Sequence, residues 1–228
     1  MRRSEINSLI REAEQFFAKM QFRLPPWAHW PAERWSERGA ECREIFENML
    51  GWDLTDFGSG EFLRTGLLLF TIRNGNFTRG DKPYAEKIMI VQEGQETPMH
   101  FHWNKMEDII NRGGGNLVLE LYRAAPDESL SDEPIEISTD GVKRNVPAGG
   151  TVVLGPGESI TLEPRVYHRF YGEPGAGTVL VGEVSMVNDD RSDNRFYRPV
   201  GRFPEILEEE QPYRLLVNDY AAFTGADR

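Results

Sequence analysis

With one cysteine, Cys42, in 228 residues, an internal disulfide is excluded, and so is any thiolate-rich zinc or iron–sulfur site, which needs several sulfurs. Any metal must therefore use imidazole and carboxylate. Positive charge is also scarce: 26 Lys and Arg against 37 Asp and Glu leave a net −11. That balance argues against a broad cationic face for nucleic acid or anionic lipid, so small or neutral partners are expected. Long apolar runs are missing too. The most apolar stretch, Gly66 to Ile72, is far short of the roughly 18 residues of a membrane span, and the acidic residues after Arg2 and Arg3 interrupt any secretory h-region. These features predict a soluble cytoplasmic protein. The chain shows no repeat, low-complexity segment or linker composition, and its length suits one elaborated domain over 1–228.

Hydrophobic residues at 39% and aromatics at 11% supply the apolar surface of a folded core. Ile6, Leu9, Ile10, Ala13, Phe16, Phe17 and Met20 recur at helical spacing behind Ser4, an expected N-cap, and predict a helix over 4–20. A second helical stretch is expected from Pro31 to about Met49. The texture then changes. LLLFTI, YAEKIMIV, MHFHW, EDIIN, LVLELY, IEIST, VKRNV, TVVL, SITLEP and TVLVGEVSMV are short β-rich runs separated by Gly, Pro, Asn and Asp. They predict a mainly β protein, an antiparallel sandwich or barrel, occupying about 62–188 behind a helical segment at 1–50. Asp140-Gly141 carries the signature of a type I′ hairpin turn. After Asp189 a charged, proline-containing extension is expected to wrap the barrel, with Glu208-Glu209-Glu210 as solvated surface.

Three of the four histidines, His100, His102 and His168, fall in the β-rich region. Residues i and i+2 of a strand face one side, so His100 and His102 can reach one point. A reversal at Trp103–Met106 would bring Glu107 back alongside them, and His168 would arrive on a strand from across the barrel. The spacing Gly94-x5-His100-x-His102-x4-Glu107-x6-Gly114 reproduces the first cupin motif. The second motif is looser: Gly157, Pro164 and His168 are present, but the glycine between Pro and His and the terminal Asn are missing. Three imidazoles and a carboxylate on a divalent ion leave two adjacent octahedral positions free for a chelating 1,2-dioxygen ligand, and suit Mn²⁺, Fe²⁺, Co²⁺ or Zn²⁺ alike.

The stretches RSEIN, FRLPP, GWDLTDFGSG, FTIRNGN, PYAEKIMIVQEGQ, TPMHFHWNKMEDIINRGGGNLVLELY, GESITLEP and GEVSMVNDDRSDNRF closely resemble the bacterial D-lyxose isomerase family, and the resemblance covers nearly the whole chain. It implies a homodimeric cupin, jelly-roll-like, antiparallel β-barrel with N-terminal helices and a C-terminal extension. It further implies Mn²⁺ at His100, His102, Glu107 and His168, and aldose–ketose isomerisation of D-lyxose and D-xylulose, with D-mannose and D-fructose as further substrates. Proton transfer between C2 and C1 through an ene-diolate also needs a base. In YAEKIMIV either Lys87, in phase with Met89 and Val91, or Glu86 points inward; the resemblance favours Lys87. Lys105 lies two residues before Glu107. Glu183 shares a face with Val181 and Ser185 and is the natural general base if that face is interior. Asp190, beside Asp189 and Arg191, sits where a barrel mouth would meet sugar hydroxyls, and Trp103, Phe101 and Phe170 offer aromatic faces. Two other functions fit the same residues: a metal-dependent cupin dioxygenase and a non-catalytic sugar-binding cupin.

Overall fold

The computed structural model describes the chain apart from residues 77–79, 81, 188, 190–191 and 225–228. A helix α1 (Arg3–Lys19) is followed by a 3₁₀ turn at Pro26–His29, α2 (Ala32–Arg38), a second 3₁₀ turn at Gly39–Cys42 and α3 (Arg43–Glu47). The single helix expected from Pro31 to Met49 is thus broken at Gly39, the one glycine in the run and a poor helix former.

Thirteen strands follow among the described residues: β1 (Gly51–Thr55), β2 (Leu67–Arg73), β3 (Tyr84–Val91), β4 (His100–His102), β5 (Glu107–Gly114), β6 (Leu117–Arg123), β7 (Ile135–Thr139), β8 (Val142–Val146), β9 (Gly150–Leu154), β10 (Ser159–Leu162), β11 (Val166–Gly172), β12 (Val179–Met186) and β13 (Asn194–Phe196); α4 (Tyr220–Thr224) comes last. β1 extends the sheet ahead of residue 62, where the strand-rich region was expected to begin. Its Trp52 and Leu54 alternate with Asp53 and Thr55 in the period of two that a half-buried strand requires.

All strand pairs are antiparallel, in two sheets. The larger has the order β1-β2-β3-β12-β5-β10-β7-β8 and the smaller β13-β4-β11-β6-β9. They face one another as a sandwich of the cupin, jelly-roll-like type; among the described residues no strand of one sheet pairs with a strand of the other. Leu69, Met89, Ile109, Leu119, Phe170 and Val181 belong to the core between them. The expected hairpin joins β7 and β8: Asp140 and Gly141 have φ of 49° and 79°, the two positive values of a type I′ turn.

α1 forms a third layer. Ile6, Ile10, Ala13 and Phe17 pack on Leu68, Phe70, Ile88, Ile90 and Leu180 of the larger sheet's outer face. Its start differs from expectation. Arg2 is the N-cap residue and Ser4 lies inside the helix, because a carboxylate from the C-terminal extension takes the cap position. Glu209 accepts from the N–H groups of Arg3 (3.0 Å) and Ser4 (3.1 Å), and from the Ser4 hydroxyl. The acidic triplet is exposed, as expected, and in addition acts as a clamp. Glu208 pairs with the buried Arg3 guanidinium at 2.6 Å, and Glu210 accepts from Asn7 at 2.6 Å. No described helix is long and apolar enough to cross a membrane.

Candidate active site

His100 and His102 point to one side of β4, as the period of two demands. His168 comes from the neighbouring strand of the same sheet rather than from across the fold, since β11 pairs with β4 with His168 opposite His100. The ligand nitrogens of the three rings lie within 4.8 Å of one another, a grouping able to hold a metal ion. Orientation follows from backbone bonds: His100 Nδ1 lies 2.8 Å from the Pro98 carbonyl and His168 Nδ1 3.0 Å from that of Val166, which leaves Nε2 of each ring as the free lone pair.

Glu107 reaches the cluster by a different route from the expected hairpin. β5 belongs to the larger sheet, so the chain crosses from one sheet to the other between His102 and Glu107. The crossing is held by Asp193, whose carboxylate accepts from the backbone N–H groups of Asn104 (2.8 Å) and Lys105 (2.9 Å). Glu107 Oε1 then lies 3.2 Å from His102 Nε2 and 3.1 Å from His168 Nε2. It is buried without a directed hydrogen bond, as is His102 Nδ1. A carboxylate oxygen orphaned among imidazole nitrogens is an arrangement that a cation would complete, and the donor set fits a divalent ion of intermediate hardness.

The turn before His168 lacks the motif glycine, and Arg165 takes the left-handed conformation there, with φ 64°. This costs a non-glycine residue about 1 kcal/mol. Its N–H donates to His102 O at 2.9 Å, and its guanidinium lies over the rings of Trp103 and Phe101, at 5.1 and 5.5 Å from their centroids. Those two aromatics therefore pack away from the cluster, whereas Phe170 faces it.

Beside the imidazoles lies a buried chain of alternating charge. Lys105 Nζ is 2.7 Å from Glu107 Oε2 and 3.0 Å from Glu183 Oε1, and Lys87 Nζ is 3.3 Å from the same Glu183 oxygen. Lys87 and Glu183 sit opposite one another on β3 and β12. Glu86, the alternative to Lys87, turns outward to Arg73 at 3.2 Å. Burial by itself would push the Glu183 carboxyl up, but Lys105 and Lys87 outweigh it and hold the group below its ordinary range. Burial likewise opposes the charge on Lys105, yet Glu107 and Glu183 drive its pKa above the ordinary lysine value. Desolvation, then the rings of His168 and His102, push His100 well below an ordinary imidazole; desolvation also lowers His102. The shifts of His100 and His102 favour the neutral imidazole that metal ligation requires.

These groups line a cavity of about 350 Å³ between the sheets. Asp190 lies outside the described residues. The sequence reading did not single out the cavity's other polar and aromatic walls: Asp53 and Thr55 on β1, Phe57 after it, Asn194 and Phe196 on β13, and Arg202 beyond. A charge between Trp52 and Leu54 is the one signal that could have exposed Asp53.

Fold and site together define a cupin-type enzyme with a metal-competent histidine cluster beside a buried carboxylate–lysine pair. The family model for D-lyxose isomerase matches residues 1–220. D-lyxose/D-mannose isomerases of Serratia proteamaculans and Escherichia coli O157:H7 are each 48% identical, over 98% of this chain and 99% and 100% of theirs. The chain belongs to the D-lyxose isomerase family. Among solved structures, L-ribose isomerase of Cellulomonas parahominis matches with a TM-score of 0.60 at 16% identity, over 91% of this chain and 98% of that one. That of Geodermatophilus obscurus matches at 0.58 and 16%, over 86% and 92%. At that identity the likeness is one of fold. The protein is an isomerase, an intramolecular oxidoreductase of the aldose–ketose class, which sets aside the dioxygenase and the non-catalytic sugar binder.

Proposed function

We propose that the enzyme interconverts D-lyxose and D-xylulose, and D-mannose and D-fructose, with His100, His102, His168 and Glu107 holding a divalent ion, Mn²⁺ by resemblance to the family. The orphaned Glu107 oxygen amid imidazole nitrogens carries this reading. When bound, the cation supplies Lewis acidity that stabilises negative charge developing on the sugar's C1 and C2 oxygens. The rest falls to the chain. Glu183, kept ionised by Lys105 and Lys87, takes the proton from C2 and returns it to C1 on the same face. Lys105, kept charged by its two carboxylates, donates toward the oxygen that gains charge while the O2 hydroxyl proton passes to O1. Walls such as Leu69, Met89 and Phe170 keep bulk water from the intermediate.

The test is turnover of D-lyxose in D₂O under anaerobic conditions. Ketose carrying solvent deuterium at C1 is expected. Conversion without any deuterium incorporation would replace proton transfer with a hydride shift, and absence of conversion with Mn²⁺ added would remove the proposed substrates.

A further inference from the structure

The cavity floor has a direction. Glu107, Glu183, Lys87 and Asp53 stand on β5, β12, β3 and β1, and the larger sheet runs β1-β2-β3-β12-β5. With strands about 4.8 Å apart, Asp53 lies at the end opposite Glu107, with the Lys87–Glu183 pair between them. Asp53 faces the cavity because Trp52 and Leu54, its neighbours in β1, pack beneath α1.

A second charged group is brought to that end from far along the chain. The extension after β13 crosses the loop following β1: Gly201 N–H donates to Phe57 O at 2.9 Å, and the Thr55 hydroxyl donates to Arg202 O. The crossing is tight, since a Cβ on Gly201 would come within 2.9 Å of Gly58 Cα. Arg202 thereby lines the cavity, its guanidinium 4.0 Å from Asp53 Oδ2 and over the Phe203 ring at 4.7 Å. Leu67, Leu69 and Met89 line the same cavity as this pair.

We infer that Asp53 and Arg202 form the subsite for the far end of the sugar, binding hydroxyls beyond C4 and so setting the enzyme's preference for chain length. This rests on the proposed function, which puts C1 and C2 at the imidazole end. A hydroxyl both donates and accepts, so one group can donate to the Asp53 carboxylate while accepting from the Arg202 guanidinium. A site built to bond a hydroxyl discriminates strongly against substrates that lack it.

The experiment compares kcat and KM of the wild type, Asp53→Asn and Arg202→Met on D-mannose, D-lyxose and L-erythrose, which share their configuration at C2 and C3 and differ in length. The wild type should prefer the longer sugars. In either variant kcat/KM should fall by about tenfold or more for D-mannose and D-lyxose, mainly through KM, and by much less for L-erythrose. Gly201→Ala, which displaces the crossing strand and Arg202 with it, should reproduce the Arg202→Met pattern; it is a second route should either direct variant fail to fold. Equal losses on all three sugars, losses confined to kcat, or no loss would overturn the subsite. A wild type inactive on D-mannose and D-lyxose would instead overturn the substrate reading itself.

Discussion

Lys105 places one ammonium between two buried carboxylates, and the site's electrostatics turn on it. Replacement by Met would leave Glu107 and Glu183 facing each other with less compensation, and the Glu183 carboxyl would rise. With Glu183 as the proposed base, which acts when deprotonated, the wild-type acid limb of kcat should lie below the ordinary carboxylate range, and Lys105→Met should move it to higher pH. A pH–rate profile measures this directly. Glu183→Gln keeps the shape but removes the proposed base; kcat should drop by about 10²–10⁴-fold with KM much less affected. Retention of kcat would assign proton transfer to another group. Much of this was legible in the sequence. His100 and His102 follow from the period of two, and Glu183 from its phase with Val181 and Ser185. The second cation on Glu183 was not, because Lys87 and Lys105 approach one oxygen from opposite directions, and no local pattern encodes that meeting.

At the scale of elements, α1 has two working faces. The apolar stripe read from its sequence docks on the sheet, while a second stripe, Arg3, Asn7, Arg11 and Glu14, holds the C-terminal extension. Arg3 is 1% exposed and pairs with Glu208 and Asp219; Asn7 bonds Glu210 and the Gln211 carbonyl; Arg11 lies over the Tyr213 ring at 4.4 Å; Glu14 accepts from Tyr213 (2.8 Å) and Arg214 (3.0 Å). A polar helix face some 200 residues from its partner reads as solvated, which is why this contact was missed. Arg3→Met leaves the Asp219 carboxylate half-buried without its main partner, and should cost about 2 kcal/mol in chemical denaturation. Hydrogen bonds, first from the Ser4 hydroxyl, lower Glu209 from 4.5 to about 2. A depressed carboxyl stabilises the fold above 4.5 and loses that contribution as pH falls towards 2. Glu14 is also lowered, Arg214 and its other partners prevailing over burial. Exchange protection of α1 amides should therefore decline through this window, and Glu209→Gln should flatten the decline. Protection that is independent of pH there would mean that the clamp adds nothing.

Across the whole molecule, the two sheets divide the labour. The smaller supplies three imidazoles, the larger supplies Glu107, Glu183, Lys87 and Lys105's tether at β5, and the cavity lies where their inner faces part. The layered β fold was legible from the strand-length runs and their turns. The crossing of the chain between sheets at residues 103–106 was not, since a reversal and a crossing share the same turn residues. The proposed ligands come from both sheets, so removal of the ion should loosen their apposition as well as stop chemistry, and the protein should melt at a lower temperature after chelation. His100→Ala should bind metal far more weakly and lose isomerase activity while keeping the β-sheet signature in circular dichroism. The most direct measurement is metal content by elemental analysis, alongside D-lyxose to D-xylulose turnover, for the purified protein before chelation, after it, and after Mn²⁺ is restored. Activity that falls with the metal and returns with it, near one ion per chain, is the predicted result; undiminished turnover by metal-free protein would contradict the account.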